Sequence, residues 1–264
     1  MRVQSVYVQG VKDVNEDELL VGETVFGVFD GATGLVPYRT ENGETGGQVA
    51  ARIAKKVFES SIVSEPLEGL AIKANREIAH AMNTRGIDTS NALSRWSTTA
   101  AVVRVKQDEL EFAGISDSCI LGILPGGGYQ LLVPYHNQDA HLLQVWKSLT
   151  DEEKRECLMS LRREANVTYG VLNGDERAEN FLCAGTCKTV FDSVLIFTDG
   201  LMIPKRDALG DEDWKTFVEL YRAGNMQGPL PAPLRRFFHT FQRLQSLFLQ
   251  PHQSQEYFQP CAPN

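Results

Sequence analysis

The sequence predicts an α+β fold in which two antiparallel β-sheets pack face to face between outer layers of helices. Short apolar runs open the chain, two helical stretches follow, and a second block of strands comes after them. Because strands and helices do not alternate one by one, this order disfavours a parallel sheet of the Rossmann type. Two of the apolar runs end abruptly in Asp-Gly, at Asp30 and Asp199, as is typical of strands that reach the rim of a sheet.

The strands are indicated by short apolar runs between turn residues. A turn at residues 125–128 joins the last two strands of the second block as a hairpin. The loop between the third strand and the first helix runs from Gly31 to Gly47. The predicted strands cover residues 3–8, 18–21, 25–29, 98–105, 109–115, 120–124, 129–133 and 194–197.

The helices are indicated by apolar residues spaced three and four apart. Val49, Ile53 and Val57 share one face of the first helix, which covers residues 46–60. A second helix is predicted at residues 67–82. Two further helical stretches are predicted within residues 139–165, a charged surface insertion, and at 211–223.

The composition of the chain indicates which kinds of partner and which cellular compartment to expect. The chain has 264 residues, 42% hydrophobic and 23% charged, which is ordinary for a globular protein. A net charge of -8 argues against nucleic acid or an anionic membrane as a partner. No apolar run could span a bilayer, and the N-terminus lacks the features of a signal peptide. Five irregularly spaced cysteines favour reduced thiols, so we expect a cytoplasmic monomer.

Acidic residues stand at four strand boundaries. Each alone is an ordinary turn residue, but together they would surround a hard cation with oxygen ligands. The five histidines form no cluster in the sequence, which favours Mg²⁺ or Mn²⁺ over Zn²⁺. The four points are the pair Glu16-Asp17, then Asp30, Asp117 and Asp199.

Five short motifs containing these acids follow one another along residues 1–221. They are Lys12 with Asn15-Glu16-Asp17, the run GVFDGATG from Gly27, the run STTAAVV from Ser97, Ser116-Asp117-Ser118, and Thr198-Asp199-Gly200. In this order they resemble the type 2C family of metal-dependent serine/threonine protein phosphatases, in its bacterial form. The resemblance implies a four-layer αββα sandwich with a metal cleft at one end.

The resemblance also implies two Mn²⁺ or Mg²⁺ ions, with a weaker third. Asp30 would bridge the two ions. The carbonyl of Gly31 and the carboxylate of Asp199 would each bind one of them directly. Asp117 would contribute to the third site.

The remaining residues carried over by the resemblance lie near the N-terminus. Glu16 would hold metal-bound water, with Asp17 completing the acidic pair, and Lys12 would contact the substrate phosphate. Two ions about 4 Å apart lower the pKa of a shared water toward neutrality. The resulting hydroxide would attack phosphorus directly, so no protein nucleophile is required.

The chain departs from the family pattern at several positions. The family's arginine is Lys12, which keeps the charge but loses the bidentate fork, and its histidine after Asp-Gly is Ala32. Ala32 also excludes a haloacid-dehalogenase-type phosphatase, which needs aspartate there. A further family acid is replaced by Ile203. The last metal-binding aspartate is not found, and spacing does not support a substitute among Asp207, Asp211 and Asp213.

Two functions remain open from the sequence. The first is metal-dependent hydrolysis of phosphoserine and phosphothreonine in proteins, with a serine/threonine kinase or its targets as partners. The second is a catalytically impaired module that binds phosphoproteins without turnover, which the missing aspartate and Ala32 would explain.

The end of the chain differs in composition from the rest. We expect a phosphatase-like domain at residues 1–225 and an atypical tail at 226–264, which contains no Val, Ile, Asp or Lys. The tail is either specific to its lineage, with part of 232–249 as an amphipathic helix, or a replacement of the original ending through a shifted reading frame. Under either interpretation we expect no final sheet strand there.

Overall fold

Two antiparallel sheets of five strands each form the centre of the protein. The computed structural model describes residues 1–8, 14–60, 62, 64–135, 145–188, 190–201, 210–224 and 244–250. The first sheet contains, in spatial order, β1 (Arg2–Val8), β12 (Leu244–Gln250), β11 (Ser193–Phe197), β8 (Cys119–Ile123) and β9 (Tyr129–Leu131). The second contains β10 (Cys183–Lys188), β7 (Glu109–Ile115), β6 (Ala100–Val105), β3 (Val25–Phe29) and β2 (Glu18–Val21).

A short ribbon of two strands, β4 (Gly31–Ala32) and β5 (Ser97–Thr98), lies at the end of the second sheet. It continues the chain directly beyond β3 and leads directly toward β6. Its position matters because Asp30, which lies between β3 and β4, belongs to the acidic cluster described below.

Four helices complete the described structure: α1 (Gly46–Glu59), α2 (Leu67–Thr84), α3 (Asp151–Glu164) and α4 (Asp211–Gly224). Helix α1 begins at Thr45, whose hydroxyl accepts a hydrogen bond from the N–H of Gln48 while the Gln48 side chain accepts one from the N–H of Thr45. This reciprocal capping box satisfies two otherwise unpaired donors. Helix α3 begins with the same device at Thr150, but it buries no side chain.

The layers are held by three separate apolar clusters. Between the sheets, Phe26 and Val28 of β3 pack with residues of both sheets, including Ile196 of β11. Phe29 faces the other way, toward α1 and α2. This follows from the two-residue side-chain period of a strand. Trp214 of α4 packs on the outer face of the first sheet. The expected four-layer αββα sandwich is therefore confirmed.

The tail differs from the expectation. Strand β12 lies inside the first sheet, paired antiparallel with β1 on one side and with β11 on the other. The prediction that the tail contains no strand is wrong, and the helix expected in part of 232–249 does not include residues 244–249. Residues 232–243 lie outside the described part of the chain. The sequence of β12, Leu-Gln-Ser-Leu-Phe-Leu-Gln, has no two-residue alternation, and Pro and Gln are frequent on both sides of it, so no strand pattern marks this segment. The division at residue 225 stays a prediction.

The other expected elements agree with the structure to within a few residues, except that the helix expected within 139–165 is confined to 151–164. Residues 136–144 lie outside the described part of the chain. Strand β10 was not anticipated, because its sequence, Cys-Ala-Gly-Thr-Cys-Lys, has few strand-forming residues. Within the described residues, no helix is long and apolar enough to cross a membrane.

Candidate metal centre

Asp30 lies where β3 ends and the β4 ribbon begins. Its N–H donates to the hydroxyl of Thr99 at 3.3 Å, and its carbonyl accepts from the N–H of Thr99 at 2.9 Å. Thr99 is the residue between β5 and β6. The N–H and the carbonyl of Asp30 are therefore both hydrogen-bonded to the neighbouring chain segment. The backbone at Asp30 is therefore fixed independently of any ligand.

Gly31 follows at a point where the chain is crowded. A Cβ on Gly31 would meet the backbone carbonyl oxygens of Glu16 and Gly47 at less than contact distance. Only glycine allows the three segments to approach this closely. The sharp Asp-Gly strand end seen in the sequence therefore has a structural reason, since it packs the Asp30 turn against the start of α1.

Asp117 lies in the turn between β7 and β8. The preceding Ser116 has a φ of 74°, in the left-handed region that favours glycine. The following Ser118 is buried, and its hydroxyl lies 2.5 Å from the hydroxyl of Thr99. Because Thr99 also holds Asp30, this hydroxyl pair joins the turn of Asp117 to the end of β3.

Asp199 begins a 3-10 turn, Asp199–Leu201, immediately beyond β11. The turn is closed by a hydrogen bond from the N–H of Leu201 to the carbonyl of Thr198 at 3.1 Å. Burial of the carboxyl, followed by the negative charges of Asp30 and Asp117, raises the pKa of Asp199 well above its ordinary value. The structure thus brings together acids from both sheets that are far apart in the sequence.

The pair Glu16-Asp17 lies just before β2. One carboxylate oxygen of Glu16 accepts hydrogen bonds from the hydroxyls of Thr33 and Thr45, the latter at 2.6 Å. Asp17 is 3% exposed, and its negative charge also raises the pKa of Asp199. Glu16 therefore lies against the N-terminus of α1, and Asp17 lies within electrostatic reach of the cluster.

These residues fit a divalent cation by their chemistry. The side chains of Asp30 and Asp199 are close enough to interact, and the negative charges around Asp199 raise its pKa. A divalent cation at this place would neutralise the repulsion between the carboxylates. The potential ligands in the cluster are all oxygens, which suits Mg²⁺ or Mn²⁺. Within the described chain, no three His, Cys, Asp or Glu side chains already form a ready-made metal site.

Several residues singled out in the sequence are not part of this cluster as described. Lys12, Ile203 and Asp207 lie outside the described residues. Asp211 accepts a hydrogen bond from the hydroxyl of Tyr129 at 2.6 Å and pairs with Lys215. Asp213 accepts from the N–H of Gly210 at 3.0 Å, at the start of α4. These contacts account for both acids as residues of a helix N-terminus.

The sequence predicted no role for four hydroxyls, three of which lie inside the quoted motifs: Thr33, Thr45, Thr99 and Ser118. The capping pattern Thr45-x-x-Gln48 is a signal that could have located one of them. The contact between Thr99 and Ser118 joins two segments that are distant in the sequence, and no local sequence pattern predicts it. Together the hydroxyls set the positions of Glu16, Asp30 and the Asp117 turn.

The chain is similar to known proteins in both sequence and fold. A family model described as Protein phosphatase 2C matches residues 12–239. The chain is similar to the catalytic domain of the serine/threonine protein phosphatase PstP in complex with two manganese ions, at 18% identity over 94% of this chain and 96% of that chain, with a TM-score of 0.58.

Two further solved structures agree with that comparison. The phosphatase Stp1 from Staphylococcus aureus is 18% identical over 95% of each chain, with a TM-score of 0.57. PppA, a key regulatory component of T6SS in Pseudomonas aeruginosa, is 17% identical over 94% of this chain and 96% of that chain, with a TM-score of 0.57. At these identities the likeness shows the fold. No curated protein matches the chain.

Proposed function

The chain belongs to the protein phosphatase 2C family, and we propose that it hydrolyses phosphoserine and phosphothreonine in proteins with the help of two bound Mn²⁺ or Mg²⁺ ions. One observation carries the proposal. Asp30, Asp117 and Asp199 come from three different turns, yet they lie close enough for their charges to raise the pKa of Asp199. Such a concentration of negative charge on three half-buried side chains is unfavourable without a cation, and it is typical of functional sites.

In this proposal Asp30 and Asp199 hold the ions together with the carbonyl of Gly31. Asp117 supports a weaker third site, and Asp17 adds negative charge nearby. When bound, the ions polarise the phosphate oxygens and make water nucleophilic near neutral pH. The chain's own contribution is to keep the carboxylates in place, because the strand ends are fixed by backbone and hydroxyl hydrogen bonds.

Two residues would act on the substrate and the attacking water. Glu16 orients water through a carboxylate that Thr33 and Thr45 hold in one position. Lys12 places a positive charge on the substrate phosphate, as a point charge without a bidentate fork. With Ala32 at the position of the family's histidine, no imidazole stands there to protonate the departing serine oxygen.

A second candidate function is phosphoprotein binding without turnover. It is favoured by the residues just before β12, Phe241, Gln242 and Arg243, which contain no carboxylate where the family has its last metal ligand. With one ligand fewer, the second ion would bind weakly and hydrolysis would be slow. The two candidates share a site, and only a rate measurement separates them.

The test is hydrolysis of p-nitrophenyl phosphate with Mn²⁺, with Mg²⁺ and with EDTA. We expect turnover with either metal ion and none with EDTA. Asp30→Asn and Asp199→Asn should each lower kcat/KM by at least about 100-fold, because each removes a metal-binding charge. Asp108→Asn is the matched control, since Asp108 is exposed in the turn between β6 and β7.

Three outcomes are distinguishable. Near-normal Mn²⁺-dependent rates in either site variant would contradict the proposed ligands. Metal-independent turnover would contradict the mechanism. Binding of a phosphopeptide without measurable turnover in the unaltered protein would favour the second candidate function. Calorimetric titration with Mn²⁺ then gives the number of ions bound per chain.

A further inference from the structure

A pocket lies beside the acidic cluster and shares Glu16 with it. Its volume is about 320 Å³, at the lower end of the range for small-ligand sites, which gives room for one peptide side chain. The loop between β4 and α1 forms much of its wall, through Pro37, Tyr38 and Arg39. A substrate whose phosphate lies at the cluster would therefore place a neighbouring residue within reach of this pocket.

The wall of the pocket is well supported. The ring of Tyr38 lies 4.7 Å from the ring of Trp96, which is fully buried. The N–H of Val36 donates to the carbonyl of Leu93 at 3.2 Å, which ties the loop to a second segment. The pocket is thus preformed, and a ligand need not order it on binding.

The tip of the same loop is closed by its own hydrogen bonds. The N–H of Thr40 donates to the carbonyl of Glu44 at 2.9 Å, and the N–H of Gly43 donates to the carbonyl of Thr40 at 2.9 Å. Gly43 has a φ of 80°, so a glycine suits this turn. Arg39 donates one hydrogen bond to the carbonyl of Gly43 at 3.1 Å, which directs its side chain back along the loop.

Arg39 carries the only positive charge among the described residues that line the pocket. Its hydrogen bond to Gly43 uses one of the five N–H groups of the guanidinium. The loop carries two acids, Glu41 and Glu44, and Glu44 is already held by Arg52 through two contacts of 3.0 Å. Glu16, which also lines the pocket, accepts hydrogen bonds from the hydroxyls of Thr33 and Thr45 through one carboxylate oxygen. Arg39 is therefore available to an external anion.

We propose that this pocket selects the residue next to the phosphoserine or phosphothreonine of the substrate, and that Arg39 gives it a preference for Asp or Glu. The inference rests on the proposed function, since it assumes that the substrate phosphate binds at the acidic cluster. A carboxylate would accept a charge-assisted hydrogen bond from the guanidinium. A Lys or Arg at the same position would be repelled.

The experiment uses two series of fluorescein-labelled phosphothreonine peptides. Within each series the peptides differ at one position, which is Glu, Gln or Lys and lies directly before or directly after the phosphothreonine. Affinity is measured by fluorescence anisotropy with Mn²⁺ present, on versions of the peptides that carry a non-hydrolysable phosphonate in place of the phosphate, and kcat/KM is measured on the phosphothreonine peptides. We expect the Glu peptide to bind about fivefold more tightly than the Gln peptide in one series, as for a partly exposed ion pair.

The variants test whether Arg39 is responsible. Arg39→Gln should bring the ratio of Glu to Gln affinity to about one, and Arg39→Glu should reverse the preference toward Lys. Arg76→Gln is the matched control, because Arg76 is an exposed arginine of α2 that does not line the pocket. It should keep the preference of the unaltered protein.

The inference is overturned if the unaltered protein shows no preference in either series, if it binds none of the peptides, or if Arg39→Gln keeps the ratio. Anisotropy requires no turnover, so it separates this inference from the proposed function. A protein that prefers the Glu peptide but does not hydrolyse p-nitrophenyl phosphate would retain the pocket and lose the activity.

Discussion

At the scale of single residues, Ser116 occupies a backbone conformation that its side chain disfavours. Its φ of 74° places it in the left-handed region, where a residue with a Cβ costs about 1–2 kcal/mol more than glycine. The chain therefore tolerates strain in the residue directly before Asp117. Strained residues of this kind cluster at functional sites, where surrounding contacts hold them.

We predict that Ser116→Gly is more stable than Ser116→Ala by about 1 kcal/mol in the free energy of unfolding. At ordinary positions the order is the opposite, because glycine loses more conformational entropy on folding. Urea denaturation of the two variants, monitored by circular dichroism, measures the difference. A more stable alanine variant would mean that Ser116 is not strained in solution.

The charged side chain of Asp175 has a structural role. Its carboxylate accepts hydrogen bonds from Arg177 and Arg95, each with a closest approach of 2.6 Å. The hydrogen bonds from Arg177, and then those from Arg95, hold its pKa well below the ordinary value of 3.8, although burial opposes them. A lowered pKa in the folded state means that the ionised group contributes stability above the unfolded pKa. This contribution is lost as the pH falls through the folded pKa.

Asp175→Asn should therefore lower the free energy of unfolding by about 1–3 kcal/mol at neutral pH. The difference from the unaltered protein should shrink as the pH falls below about 4. Urea denaturation of both proteins at several pH values between about 3 and 7 gives the difference directly, since the other carboxylates are common to both. A difference independent of pH would show that the charge of Asp175 has no part in it.

At the scale of secondary-structure elements, α1 and α3 begin with the same capping box but differ in what they support. Helix α1 buries eight residues against the second sheet and the site, and the hydroxyl of Thr45 also reaches Glu16. Helix α3 buries none. The local signal in the sequence is therefore the same, whereas the tertiary consequence of losing the cap is different.

Thr45→Ala should lower the free energy of unfolding by about 1–2 kcal/mol, the usual range for a lost N-cap. Thr150→Ala, the matched control, should change global unfolding by less than about 0.5 kcal/mol, because α3 can fray without exposing core residues. Calorimetric melting of both variants measures this. Equal effects would mean that the two caps matter only locally, and Thr45→Ser should preserve stability because it keeps the hydroxyl.

At the scale of the whole molecule, the first sheet is continuous only because β12 lies between β1 and β11. Leu247 has Ser5 as its partner on one side and Ile196 on the other. Without this strand, two sheet edges would face each other unpaired. The atypical composition of the tail is therefore compatible with a strand that closes the fold.

Leu247→Pro should destabilise the protein by about 3 kcal/mol or more beyond the effect of Leu247→Ala. Proline removes a ladder N–H and fixes φ inside a central strand. Urea denaturation of the two variants gives the comparison, and exposure of apolar surface can be followed by dye binding. If the tail lay outside the sheet, the proline and alanine variants would be equally stable.

The sequence alone determined the features that are local. Apolar periodicity located most of the strands and the helices that bury one face, because the spacing of neighbouring apolar residues reflects burial on that face. Acids at strand ends and the order of the five motifs indicated the acidic cluster and the family, since a strand end carries its next residue to the rim of the sheet. Ala32 and the lack of an acid before β12 are likewise visible in the sequence.

The tertiary structure alone decided what depends on contacts between distant segments. Thr99 and Ser118 join two turns, Arg39 lines a pocket beside Glu16, and β12 lies between β1 and β11 inside a sheet. None of these has a local pattern, because a hydroxyl, an arginine or a strand of mixed Leu, Phe, Ser and Gln has the same sequence whether it is solvated or enclosed. The physical reason is that burial, charge proximity and strand pairing arise from the surroundings of a residue, and only the fold supplies those surroundings.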